Sequence, residues 1–114
     1  MSADNLAAVL DALARRDLRA AAACFAADAT YREVRREPIV GRAAIAAHFA
    51  HFAASAAGWR FDADDVIRSG DRACVVYRYA TRGGDGEPWR ERAGCAVVRS
   101  DERGDIAEWR EYEA

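Results

Sequence analysis

The chain contains no lysine; all seventeen of its basic residues are arginine, set against nineteen Asp and Glu for a formal net charge of -2. That balance excludes a polyanion-binding surface as the organising feature, so nucleic acid is not an expected partner. Arginine used throughout, beside abundant alanine, reads as compositional habit. Proline occurs twice and cysteine three times, at Cys24, Cys74 and Cys95, without a CxxC spacing. An odd, scattered set argues against a disulfide framework, and the three read as small buried hydrophobes in a reducing compartment. No apolar run approaches the length of a membrane span, and the opening "MSADNLAAVL" lacks the positive start and unbroken apolar core of a targeting segment. The expectation is a cytoplasmic protein with no membrane partner.

What is present is 114 residues with 52% hydrophobic content, which suits one compact domain over residues 1–114. Leu6, Val9, Leu10 and Leu13 recur at helical spacing over residues 3–15, with Ser2 or Asp4 as cap. Asp17 caps a second predicted helix, "DLRAAAACFAADA", in which Leu18, Ala21, Ala22 and Phe25 share a face and Asp28 sits near the end. A strand opens near residue 30. Pro38 and Gly41 then break the pattern ahead of "RAAIAAHFAHFAASAAG", a third helix with Ile45, Phe49, Phe52 and Ala56 as its apolar stripe and Gly58 as its C-terminal cap.

From residue 59 onward the pattern alternates with period two. "WRFDADDVIRS" loses parity around Asp64 and Asp65, which predicts a bulge, and "GD" at 70 and 71 predicts a hairpin. "RACVVYRYAT", "WRERAGCAVVRS" and "IAEWREY" follow as strands, separated by "RGGDGEP" and "DERGD". Helices first and an antiparallel meander afterwards define an α+β fold. "ACVVY" and "GCAVV" are nearly continuous apolar runs, so both sheet faces need cover. Three helices cover one; a second copy of the chain is the simplest cover for the other, which predicts a homodimer through the outer sheet face.

The stretch "DATYREVRREPIVGR", residues 28–42, carries the first chemical question. On a strand, Tyr31 and Glu33 share one face. A Glu33 turned inward beside a tyrosine is a candidate proton-transfer group. Paired with an arginine it is structural, and turned outward it is ordinary.

Two helices, the "FAADATY" lead into a strand, the "P-x-x-G-R" turn, a four-strand meander and the ending "GDIAEWREY" together resemble the nuclear transport factor two-like superfamily. Ketosteroid isomerase, limonene epoxide hydrolase and SnoaL-like polyketide cyclases belong to it. The resemblance implies a cone-shaped α+β barrel, three helices on a curved, mainly antiparallel sheet, around a deep apolar pocket that takes a small apolar or aromatic ligand. By its place, Glu33 matches the aspartate base of the isomerase pattern, and Tyr31 the tyrosine of the epoxide hydrolase pattern. Trp109 and Glu111, in "WREY", match the tryptophan and aspartate of "W-R-D-Y".

The departures are equally specific. The isomerase pattern's two oxyanion donors fall on Val9 and Ala96, which donate nothing, and each such donor is commonly worth about 3 kcal/mol or more. The Arg-x-Asp of the epoxide hydrolases falls on Tyr77-Arg78-Tyr79, or, started at Arg78, ends on Ala80. The histidine common near the third hairpin of the cyclases is absent from "TRGGDGEPW".

Cofactor-independent acid–base chemistry of isomerase, cyclase or hydrolase type follows, with Glu33, Tyr31 and Glu111 as the catalytic set. Arg92, in step with Gly94 and Ala96, is placed to pair with Glu33 or Glu111. Trp109 forms pocket wall, Tyr77 and Tyr79 offer hydroxyls to a ligand, and His48 flanks the helix stripe at the pocket mouth. His48 and His51 have a spacing that suits a metal, but no third ligand accompanies them. A non-catalytic binding module, with the same carboxylates held in salt bridges, is the alternative.

Overall fold

The computed structural model describes residues 4–55 and 58–113; the alternative cap Ser2 and the stripe position Ala56 lie outside them. Helix α1 spans Asn5–Ala14, and α2 spans Leu18–Ala23. Each starts on an aspartate whose carboxylate accepts a first-turn amide, Asp4 from Ala7 N and Asp17 from Ala20 N.

The second helix is shorter than its alanine content predicts. Phe25 is not a helix-face residue: it opens strand β1 (Phe25–Arg32), and Asp28 is an exposed strand position. Alanine fits either conformation, so pairing decides. Phe25 registers with Ile106 across a parallel ladder, and the Ile106 amide donates to the Cys24 carbonyl at 2.9 Å. Two residues, Ile39–Val40, form β2, too short to leave a sequence pattern. Gly41 follows with φ +96, in the left-handed region, and its amide donates to the Ala29 carbonyl at 2.7 Å as the chain turns into α3 (Arg42–Ser55).

Gly58 does not cap α3; it opens β3 (Gly58–Ser69). A Cβ there would lie 3.0 Å from Arg82 Nε, whose guanidinium stacks on the ring of Trp89. Strands β4 (Arg72–Arg82), β5 (Arg90–Ser100) and β6 (Ile106–Glu113) complete the meander, with Gly70 (φ +60) in the first hairpin. The sheet order is β2-β1-β6-β5-β4-β3, antiparallel except for β1 with β6. The sheet is mixed and curved, but β2 and β3 remain its two edges, so it is open and not a closed barrel.

The predicted bulge falls between Ala63 and Asp65. It lets β3 present Trp59 and Phe61 inward and then, across the slip, Val66 opposite Val75. The concave face continues through Val75, Ala96, Val98 and Trp109, which with Leu6, Val9 and Ile45 of the helices form the buried core. Gly94 lies on this face opposite Tyr77; a Cβ would be 3.1 Å from the Tyr77 hydroxyl and would collide with the Tyr112 carbonyl. The convex face stays partly open, with Ile67 59%, Tyr112 44% and Val76 37% exposed.

Candidate functional site

Curvature of the sheet leaves a cavity of about 350 Å³ between its concave face and the helices. Phe25, Phe49, Phe52, Trp59 and Phe61 make much of its wall. All eight residues singled out from the sequence line it: Tyr31, Glu33, His48, Tyr77, Tyr79, Arg92, Trp109 and Glu111. Glu33 and Arg92 depart from the arrangement expected of them.

Tyr31, near the end of β1, is buried, registers with Trp109 on β6 and stacks on that indole with ring centroids 6.5 Å apart. Phe49 of α3 meets Tyr31 edge-on at 5.2 Å. Two residues beyond Trp109, Glu111 faces the same way because β-strand side chains alternate. The Trp109 Nε1–H donates to Glu111 Oε2 at 3.0 Å. Burial raises the Glu111 carboxyl to about 7, since the charged form loses its water; Glu33 and Glu113 raise it further, while Trp109 and the Tyr31 hydroxyl oppose them. The phenols respond to the same surroundings. Burial first, then the Glu111 and Glu33 charges, push Tyr31 well above its ordinary value, and burial with Glu33 pushes Tyr79 up to about 12. Burial raises Tyr77 as well, so all three hydroxyls are donors at neutral pH.

Glu33 lies one residue past β1, in the turn toward β2, and so is not a strand residue facing inward with Tyr31. It nevertheless lines the cavity, at its rim, where its side chain is 30% exposed. Its Oε1 is 3.3 Å from His48 Nε2 and 3.9 Å from Arg36 Nε. These three residues also border a second cleft with Glu37 and Ile39.

Arg92 pairs with neither Glu33 nor Glu111. Its Nη1 lies 3.3 Å from Glu113 Oε2. Ladder register explains this: Gly94 opposes Glu113 and Ala96 opposes Glu111, so Arg92 is four residues from Glu111's partner, about 13 Å along the strand at the usual rise. Arg36 and Glu113 were not singled out from sequence. Glu113 had a readable signal, since it shares strand parity with Trp109 and Glu111. Arg36 had none, because its position depends on the turn that follows β1.

The arrangement offers an aromatic hollow, three phenol donors and one interior carboxyl poised near neutrality. Among the described residues, no group of three His, Cys, Asp or Glu side chains converges to hold a metal ion. The pattern of the SnoaL-like domain family matches residues 6–109. No curated protein matches the chain. Solved structures share its fold at low identity. A protein of ketosteroid isomerase-like fold from Catenulispora acidiphila, in complex with trimethylamine, is 18% identical with TM-score 0.82, over 98% of this chain and 86% of that one. An LEH-like epoxide hydrolase of M. tuberculosis is 22% identical with TM-score 0.81, over 96% of this chain and 80% of that one. A putative SnoaL-like polyketide cyclase from Shewanella denitrificans is 13% identical with TM-score 0.80, over 96% of this chain and 88% of that one. With nearly its whole length matched by the family pattern, this chain belongs to the SnoaL-like domain family.

Proposed function

We propose that the protein is a cofactor-independent acid–base enzyme, of isomerase, cyclase or hydrolase type, acting on a small apolar metabolite held in the cavity. One observation carries the reading: Glu111, an interior carboxyl raised to about 7, faces the hollow beside the Tyr31 phenol. A carboxyl titrating near neutrality can take a proton and return it at little cost. Glu111 moves the proton, Tyr31 orients the substrate oxygen, and Tyr77 and Tyr79 supply further donors. Glu33 sits at the rim with His48, within reach of a substrate's outer end and positioned to exchange protons with solvent.

A competing reading, a non-catalytic binding module, draws on the ion pairs of Glu33 with His48 and of Glu113 with Arg92. Screening carbonyl and hydroxyl compounds against the protein and its Glu111→Gln variant separates the two. The enzyme reading expects turnover to fall at least about a hundredfold in the variant, a scale typical of losing general acid–base catalysis, with ligand affinity retained. Equal turnover by both proteins sinks it.

We also propose a homodimer through the convex sheet face, in the reducing cytoplasm. Exposed Ile67, Val76 and Tyr112 and three free cysteines support this. Light scattering at micromolar concentration should give twice the chain mass of 12.5 kDa, and a monomer mass removes the idea.

A further inference from the structure

We propose that the interior of the cavity is a subsite for an organic cation: a quaternary ammonium or protonated amine on an apolar body, with Glu111 as counter-charge and the aromatic walls as its faces. This rests on the reading of the cavity as the functional site, and it names the substrate class.

The argument starts from the charge pairing of the lining. Glu33 has His48 at 3.3 Å and Arg36 at 3.9 Å, and Glu113 has Arg92 at 3.3 Å. Glu111 has two neutral donors, the Trp109 indole N–H at 3.0 Å and the Tyr31 hydroxyl, and among the described residues no arginine or histidine within ion-pair distance. A shielded carboxylate with no counter-ion is costly, and the side chains around it worsen the imbalance: Glu33 from the turn after β1 and Glu113 from β6 are both negative. Arg92 of β5 is committed to Glu113, His48 of α3 to Glu33, and the tyrosines of β1 and β4 remain neutral.

The missing positive charge has a place prepared for it. The wall is aromatic: Tyr31, Trp109, Phe61, Tyr77 and Tyr79 all line the hollow, with Tyr31 beside Trp109 at 6.5 Å and Phe61 beside Tyr77 at 5.1 Å between ring centroids. Aromatic faces attract cations, and do so more strongly away from water. Three arginines also line the hollow, Arg36 paired with Glu33, Arg92 paired with Glu113 and Arg35 exposed. None lies within ion-pair distance of Glu111, so an anionic ligand beside Glu111 is repelled and a neutral one leaves it without a counter-ion. A cation stabilises the carboxylate, so its binding expels the Glu111 carboxyl proton to the buffer and leaves the base ionised against the substrate.

The test uses phenyltrimethylammonium, which has no proton of its own to lose, and its neutral carbon isostere tert-butylbenzene. Calorimetry in buffers of differing ionisation enthalpy should show release of roughly half a proton at pH 7 for the cation and none for the isostere, given a Glu111 carboxyl near 7. Cation affinity should rise at least about tenfold from pH 5.5 to pH 8, as Glu111 ionises. Glu111→Gln, which keeps the shape and the Trp109 hydrogen bond, should abolish both the proton release and the preference over tert-butylbenzene. Equal or tighter binding of tert-butylbenzene at pH 8, a cation preference that survives Glu111→Gln, or no cation binding at millimolar concentration overturns the proposal. A carboxyl NMR titration of the ligand-free protein keeps the failures apart. A Glu111 midpoint near 7 without cation preference removes the subsite and retains the acid–base reading; an ordinary midpoint with Glu111-dependent preference does the reverse.

Discussion

At the rim of the cavity Glu33 lies 3.3 Å from His48 and 3.9 Å from Arg36, with its side chain 30% exposed, whereas in the interior Glu111 has neutral donors, the Trp109 indole N–H at 3.0 Å and the Tyr31 hydroxyl. The two carboxyls line one hollow and differ in what compensates their charge. Water and Arg36 do so at the rim; in the interior no arginine among the described residues lies within ion-pair distance, and burial raises the Glu111 carboxyl to about 7. What separates the two carboxyls is therefore placement: Glu33 lies in the turn beyond β1, and Glu111 lies within β6.

The largest way to break the contrast is to remove what holds the interior together. Trp109 is 2% exposed and carries both the stack with Tyr31 and the bond to Glu111. Trp109→Ala should cost about 3–5 kcal/mol in urea unfolding, the usual range for emptying a buried aromatic site. Trp109→Phe keeps most of the packing but removes the donor, and should move the Glu111 midpoint above 7 in a carboxyl NMR titration.

A second prediction has the opposite sign. The folded chain holds the Glu111 proton to about pH 7, while the unfolded chain releases it near the ordinary glutamate value of 4.5. Between those values the native state binds more protons, so stability falls as pH rises through the window. Glu111→Gln removes that loss. The variant should unfold like the parent near pH 4 and be more stable at pH 8, by up to about 3 kcal/mol, the shift from 4.5 to about 7 converted to free energy. A parent whose urea midpoint does not change between pH 4.5 and pH 8 relative to the variant contradicts the assignment.

The smallest effect belongs to the rim. Glu33→Gln leaves His48 and Arg36 partly solvated, and the change in stability at pH 7 should be at most about 1 kcal/mol, as for exposed ion pairs generally. A loss as large as that of Trp109→Ala would mean that the rim is structural and the comparison misdrawn.

The meander was legible because alternation, the hairpin at Gly70 and the slip at Asp64 and Asp65 are local signals that tertiary packing does not overrule. Where alanine dominates, composition leaves the choice to distant partners, and Phe25 went to a strand because Ile106 was there to pair with it. The same division runs through the site. Parity along "WREY" was enough to turn Trp109 and Glu111 toward one another's face, and all of the residues chosen do line the cavity. Pairings across strands were not available from one strand at a time. Arg92 meets Glu113 because of the β5–β6 register, and Glu33 meets His48 because the chain leaves the sheet one residue earlier than alternation suggests. Charge compensation is a non-local property, so the sequence could nominate the acids without ranking them.

Gly94, opposite Tyr77 on the concave face, leaves the phenol ring free to lie across the neighbouring ribbon. Even the smallest side chain there would push against the Tyr112 carbonyl and the phenol at once. The depth of the chamber is thus set in part by a hydrogen atom, and widening or narrowing the repertoire of guests by redesign would have to begin elsewhere on the wall.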